Sequence, residues 1–205
     1  MGTGTLNPQR FLQGENIRLK KENQDLRDEV NALRNAVNAL VTLHDVAASI
    51  NAATDVLALL DRILEMALAS ISVIDGSLLL VDSEAQELAF VVVHGEVRES
   101  LKGYRMPIGE GIAGWVAKNG RSVIVGDASL DPRFSPQIDQ AFQFHTNSIL
   151  AVPIIYGSQV LGVLQAINKS GADQFSRTDR KLFEVVAQIA AIALHKAETA
   201  GSSES

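Results

Sequence analysis

Apolar residues recur on different periods along this chain, and each period predicts a different kind of element. Leu12, Leu19, Leu26, Leu33 and Leu40 stand seven residues apart, the spacing of one seam of a coiled coil. With these leucines at d, the a positions are Asn16, Asn23, Val30, Val37 and His44. Leucine at d with β-branched residues at a favours two parallel strands. Glu15, Glu22 and Glu29 fall at g, and Lys20, Arg27 and Arg34 at the e positions of the following heptads. In a parallel homodimer each g carboxylate therefore meets a cation of the other copy. Asparagine at two a positions costs stability but fixes register, because an Asn set against an apolar residue leaves its amide unpaired. A single amphipathic helix packed on its own domain is the alternative, yet such a stripe has no use for matched g and e charges. From Val41 the apolar face widens through Val46, Ala47 and Ile50, which extends the helix into the next unit.

Downstream the periods alternate. A helix is expected from Thr54 or Asp55, with Leu57, Leu60, Ile63, Leu64, Ala67 and Leu68 on its apolar stripe. Short apolar runs at Ser77–Val81 and Leu88–Val93, separated by polar residues, predict a hairpin. Tyr104–Pro107 reads as a third strand. Gly109, Gly111 and Gly114 then punctuate a short helix, Ile112–Lys118, stopped by Asn119-Gly120. Ser122–Val125 reads as an edge strand, Asp127–Phe134 as a turn-rich loop and Gln137–Phe144 as a short helix. Ser148–Tyr156 and Val160–Asn168, joined by Gly157-Ser158, carry the strongest hairpin signal. Ser176 is a good cap for a last helix carrying Leu182, Val185, Val186, Ile189, Ala190 and Leu194. This order predicts an α+β fold: a mixed, mainly antiparallel sheet flanked by helices. The expected division is a disordered start at 1–9, a coiled-coil helix at 10–44, one domain at 45–199 and a disordered tail at 200–205.

Composition narrows the chemistry. The chain has 205 residues, a net charge of −6 and Lys and Arg residues scattered among acids, which argues against nucleic acid as a partner. With no cysteine, disulfides, thiolate metal sites, cysteine nucleophiles and thioether-linked chromophores are all excluded. The longest apolar runs are too short to span a bilayer and the N-terminus has no apolar signal region, so a cytoplasmic protein without membrane partners is expected. His44, His94, His145 and His195 show no metal-ligand spacing. Asp127, Asp131 and Asp139 lack a nucleophile and an orienting partner, so no enzyme is expected. Gly109-x-Gly111-x-x-Gly114 matches a dinucleotide fingerprint only as letters, because no βαβ unit surrounds it.

Five segments together resemble the GAF family of ligand-binding signalling domains: GEGIAGWVAKNG at 109–120, GDASLDPRF at 126–134, SILAVPI at 148–154, VLGVLQAINK at 160–169 and FSRTD at 175–179. Asn168, Lys169, Phe175 and Asp179 match the Asn-Lys-Phe-Asp-Glu signature of the cyclic-nucleotide-binding members, with Arg180 in place of the glutamate. In the family this motif supports the fold; a lysine at a strand end can pair with an aspartate in the next helix's first turn. The resemblance implies a small-molecule pocket lined by Ser77, Val93, His94, Ile112, Ala113, Asp139, Thr146 and Gln165. Its ligand would be polar or anionic, with cAMP or cGMP first. Val93 stands where cyclic-nucleotide binders carry a stacking aromatic ring, and Phe142 where some relatives have a hydroxyl near the phosphate. The free N–H groups opening the Ile112 helix could hold an anion. Haem bound through His145 is an alternative, although the spacing to Pro153 departs from that subgroup. No cofactor is otherwise expected. The expected function is thus a dimeric sensor that relays ligand binding through its coiled coil; with no output domain expected after Ala200, it works through a downstream signalling protein or is a fragment of a longer receptor. The alternative is a ligand-free scaffold for dimerisation.

Overall fold

The computed structural model describes residues 9, 11–24, 26, 27, 30, 55–169 and 174–202. Residues 11–24 are helical, and Leu12, Leu19, Leu26 and Val30 form an exposed apolar row on the single chain. Leu33, Val37, Leu40, His44 and the junction from Val41 to Thr54 lie outside the described residues. Among the described residues no helix is long and apolar enough to cross a membrane.

The globular unit opens with α1 (Val56–Ser70). The Asp55 carboxylate accepts from the N–H groups of Leu57 and Ala58, satisfying donors that a helix start leaves open. Leu60, Ile63, Leu64, Ala67 and Leu68 are buried, as the stripe requires. Leu57 is not: it is half exposed, because the first turn overhangs the core and its neighbours Val56 and Leu59 are only partly covered.

The remaining elements are β1 (Asp75–Asp82), β2 (Glu87–His94), α2 (Arg98–Leu101), β3 (Arg105–Pro107), α3 (Gly111–Asn119), β4 (Val123–Val125), a 3-10 turn (Ala128–Leu130), α4 (Gln137–Phe142), β5 (Ile149–Tyr156), β6 (Gln159–Ile167) and α5 (Arg177–Ser202). The six strands order as β3-β2-β1-β6-β5-β4. Every pairing among the described residues is antiparallel, which corrects the mixed sheet expected above. The chain crosses the sheet once, between β3 and β4, and the β5–β6 hairpin returns so that β6 runs opposite to β1. Gly162 on β6 is needed there, since a Cβ would lie 2.2 Å from the Leu79 carbonyl oxygen of β1. α5 also continues to Ser202, beyond the point where a tail was expected.

Two apolar cores lie on opposite faces of this sheet. α1 and α5 cover Leu78, Val92, Leu150, Val152, Ile154 and Leu164 on one face. α3 and the segments around it cover Leu79, Phe90, Val93, Ile149, Ala151 and Val163 on the other. Alternation along β2 would put Phe90 and Val93 on different faces. A bulge prevents this: Leu78 pairs with Val92 but Leu79 with Phe90, leaving Val91 without an opposite residue.

The signature residues act as struts. Asn168, held at a positive φ of 58°, accepts from the Asn147 N–H at 2.7 Å and donates to the His145 carbonyl at 2.7 Å. Lys169 Nζ donates to Asp179 at 2.5 Å. Asp179 accepts from the Ser176 N–H at 2.7 Å, while its own N–H donates to Ser176 Oγ at 3.1 Å; this is a reciprocal cap on α5. Phe175 is buried in the α1–α5 core. Arg180, in the glutamate's place, faces Glu184 one turn along α5 at 3.5 Å.

Candidate ligand-binding site

A cavity of about 100 Å³ opens between the sheet and its α3 side, room for several waters or a small organic molecule. All eight pocket positions carried over from the sequence line it. Ser77 on β1 and Gln165 on β6 are cross-strand partners forming its floor, and Gln165 Nε2 donates to Ser77 Oγ at 2.7 Å within the buried sheet. Val93 reaches the cavity because of the β2 bulge, next to Phe90.

Ile112 and Ala113 sit at the opening turn of α3. The Glu110 side chain makes no capping bond, and the first ladder bond there runs from the Gly114 N–H to the Glu110 carbonyl. The N–H groups of Gly111, Ile112 and Ala113 are thus the donors that a helix start leaves free, and all three residues line the cavity. Helix α3 is set by its glycines. Gly114 lets the turn close on Gly109, whose N–H donates to the Gly114 carbonyl at 2.9 Å; a Cβ at Gly114 would come within 2.8 Å of Gly109 N.

Asp139 and Thr146 close the roof. The Asp139 carboxylate accepts from both the N–H and the hydroxyl of Thr146, at 2.8 and 2.7 Å, so a single side chain clasps α4 to the start of β5. Helix α4 itself buries no residue. Besides this clasp, Phe142 holds it through a T-shaped contact with Tyr104 at 5.4 Å. Phe142 does not line the cavity, whereas Phe144 does. Further out, Arg133 forks onto Asp131 at 2.8 and 2.6 Å and stacks over Trp115 of α3 at 4.7 Å. Its guanidinium hydrogen bonds hold the Asp131 carboxyl below the usual range.

His94 has a second attachment. It lines the cavity while its Nε2 meets Asp61 of α1 at 3.0 Å, linking the site to the helix on the other face. His145, the candidate haem ligand, is exposed and does not line the cavity; its carbonyl is what Asn168 holds. Among the described residues no group of three His, Asp or Glu side chains is placed to hold a metal ion.

Asp75, Tyr104, Glu110, Phe134 and Ser135 also line the space and were not singled out from the sequence. Glu110 lies inside the glycine-rich segment and was the most accessible of these. Asp75 precedes the apolar run that marked β1, and nothing local distinguishes Tyr104 from an ordinary strand aromatic.

The domain matches the family model for the GAF domain over residues 54–194. The cone cGMP-specific 3',5'-cyclic phosphodiesterase subunit alpha' of Mus musculus is 37% identical over 93 residues, 45% of this chain and 11% of that protein. The probable 3',5'-cyclic phosphodiesterase pde-5 of Caenorhabditis elegans is 33% identical over 166 residues, 76% of this chain and 23% of that protein. The matched stretch therefore spans a quarter or less of these relatives. Among solved structures, the GAF domain of a phosphoenolpyruvate-protein phosphotransferase from Coxiella burnetii superposes with a TM-score of 0.69 at 22% identity, covering 82% of this chain and 99% of that one. The corresponding Acinetobacter domain gives 0.65 at 24% identity, covering 80% and 97%. Sheet, cavity and family match agree, and the chain belongs to the GAF domain family.

Proposed function

We propose that this chain is a homodimeric sensor module that binds a small molecule in the α3-side cavity and relays its occupancy through the N-terminal helix. The observation that carries this reading is the cavity, where side chains from β1, β2, α3, α4 and β6 converge with free helix N–H groups. Cyclic nucleotides are the first candidates, on the strength of the signature residues and of relatives named as cyclic-nucleotide phosphodiesterases. Dimerisation rests on the heptads and on the exposed row Leu12, Leu19, Leu26 and Val30. A downstream signalling protein completes the proposal.

Thermal unfolding with and without millimolar cAMP or cGMP tests the ligand. A ligand at 100 times its Kd adds about 2.7 kcal/mol, which for a chain of this size raises the midpoint by roughly 5–10 °C. A shift with one nucleotide identifies the ligand class, and no shift with either retires the nucleotide. Light scattering of the wild type and of a Leu26→Ala/Leu33→Ala variant tests the seam, and an unchanged dimer mass removes it from the proposal.

A second reading is supported by the polar pairs themselves. Ser77–Gln165 and Asp139–Thr146 hydrogen-bond one another within the chain, so these polar side chains have partners of their own, as a ligand-free dimerisation scaffold requires. It predicts a dimer whose stability responds to no small molecule.

A further inference from the structure

We propose that the cavity is selective for a cationic nitrogen compound: an organic ammonium head on a small, ring-sized apolar body. This rests on the reading of the cavity as a ligand site but not on the nucleotide candidate, since it gives the ligand a charge opposite to that of a cyclic nucleotide.

The argument is one of charge. Three carboxylates, Asp75, Glu110 and Asp139, line the cavity, and among the described residues no lysine or arginine does. Each carboxylate has only neutral hydrogen-bond donors: the Glu96 N–H at 3.4 Å for Asp75, Ser135 Oγ at 3.3 Å for Glu110, and the N–H and hydroxyl of Thr146 for Asp139. Neutral donors orient a carboxylate without cancelling its charge. The neighbouring guanidiniums are engaged elsewhere, Arg133 on Asp131 and Arg98 beside Asp61. The fourth ionisable group of the lining other than Tyr104, His94, shares its Nε2 with that same Asp61.

Opposing these charges is the start of α3, whose free N–H groups carry roughly half a positive charge. Up to three negative charges against about one half decide the sign of the cavity. Field lines inside a partly dehydrated space are weakly screened, so an anion entering is repelled and a cation is held. The remaining wall suits the body of such a molecule: Phe90, Tyr104, Phe134 and Phe144 are among the lining residues, and aromatic faces attract an ammonium as well as apolar carbon.

The test compares two probes of matched shape and opposite charge, 2-phenylethylamine and 3-phenylpropanoate, by thermal unfolding and titration calorimetry on the full chain. The expected result is a rise of several degrees with the millimolar amine and none with the acid. Glu110→Gln and Asp75→Asn should each weaken the amine about tenfold, with circular dichroism reporting that they fold; the wild-type comparison stands without them. No shift with the amine, or a shift with the acid as large, overturns the proposal. Cyclic nucleotides run alongside read the sensor proposal separately. A nucleotide shift without an amine shift keeps the sensor and removes this inference. An amine shift alone keeps both and retires the nucleotide. Silence from every probe removes the inference and favours the scaffold.

Discussion

On one face of the sheet, α1 and the 26-residue α5 bury side chains completely: Leu60, Leu64, Leu150, Leu164 and Phe183 have no exposed surface. On the other face, short helices and loops leave a cavity of about 100 Å³ with carboxylates, hydroxyls and amides in its wall. Both faces draw on the same strands, and residues alternate between them. What differs is the covering. Long helices with matched stripes close-pack against a sheet, whereas α4 has no fully buried residue and is held by the Asp139 clasp, a ring contact and the partly buried Ile138 and Phe142. One face therefore supplies rigidity and the other leaves space to be filled, with His94 and Asp61 joining them around the end of β2.

Four measurements break or sharpen that contrast. The largest effect belongs to the packed face. Phe183→Ala should cost about 3–5 kcal/mol in denaturant unfolding, since a fully buried ring leaves a cavity that close neighbours cannot fill. Next is Asp179→Ala, which removes the α5 cap and the Lys169 ion pair together. About 2 kcal/mol is expected, and an effect below 0.5 kcal/mol would make the strut ornamental.

On the cavity face the effects are smaller and local. Asp139→Ala should cost about 1 kcal/mol, with faster amide exchange confined to the roof at 137–146. Exchange spreading into α1 or α5 would contradict the independence of the two faces. The smallest effect comes from the outer roof. Arg133 depresses the Asp131 carboxyl, so this pair stabilises the fold above the unfolded carboxylate range near pH 4 and loses that contribution as pH falls through the lower folded value. Asp131→Asn should therefore cost about 0.5 kcal/mol at pH 7, and the difference from wild type should shrink as the pH falls below about 4.

Much of this was legible because it is local. The hairpin at Gly157-Ser158, the Asp55 and Ser176 caps and the stop at Gly120 depend on residues a few positions apart, and each formed where the pattern placed it. The eight cavity residues were legible by resemblance to a family, not by spacing: Ser77 and Gln165 are 88 residues apart. Leu57 was misjudged because periodicity reports a helix face and not where the core ends.

Sequence alone determined the order of the elements other than the four-residue α2, the α+β class, the heptad row and the residue types available to a pocket, since propensity, capping and periodicity act over a turn or two. Only the tertiary structure decided which strands neighbour which, that the sheet is wholly antiparallel, and that the bulge at Val91 brings Val93 beside Phe90. It alone set Asp75, Glu110 and Asp139 around one space that, among the described residues, no lysine or arginine lines, because a cavity's charge is a sum over residues that meet only when the chain has folded.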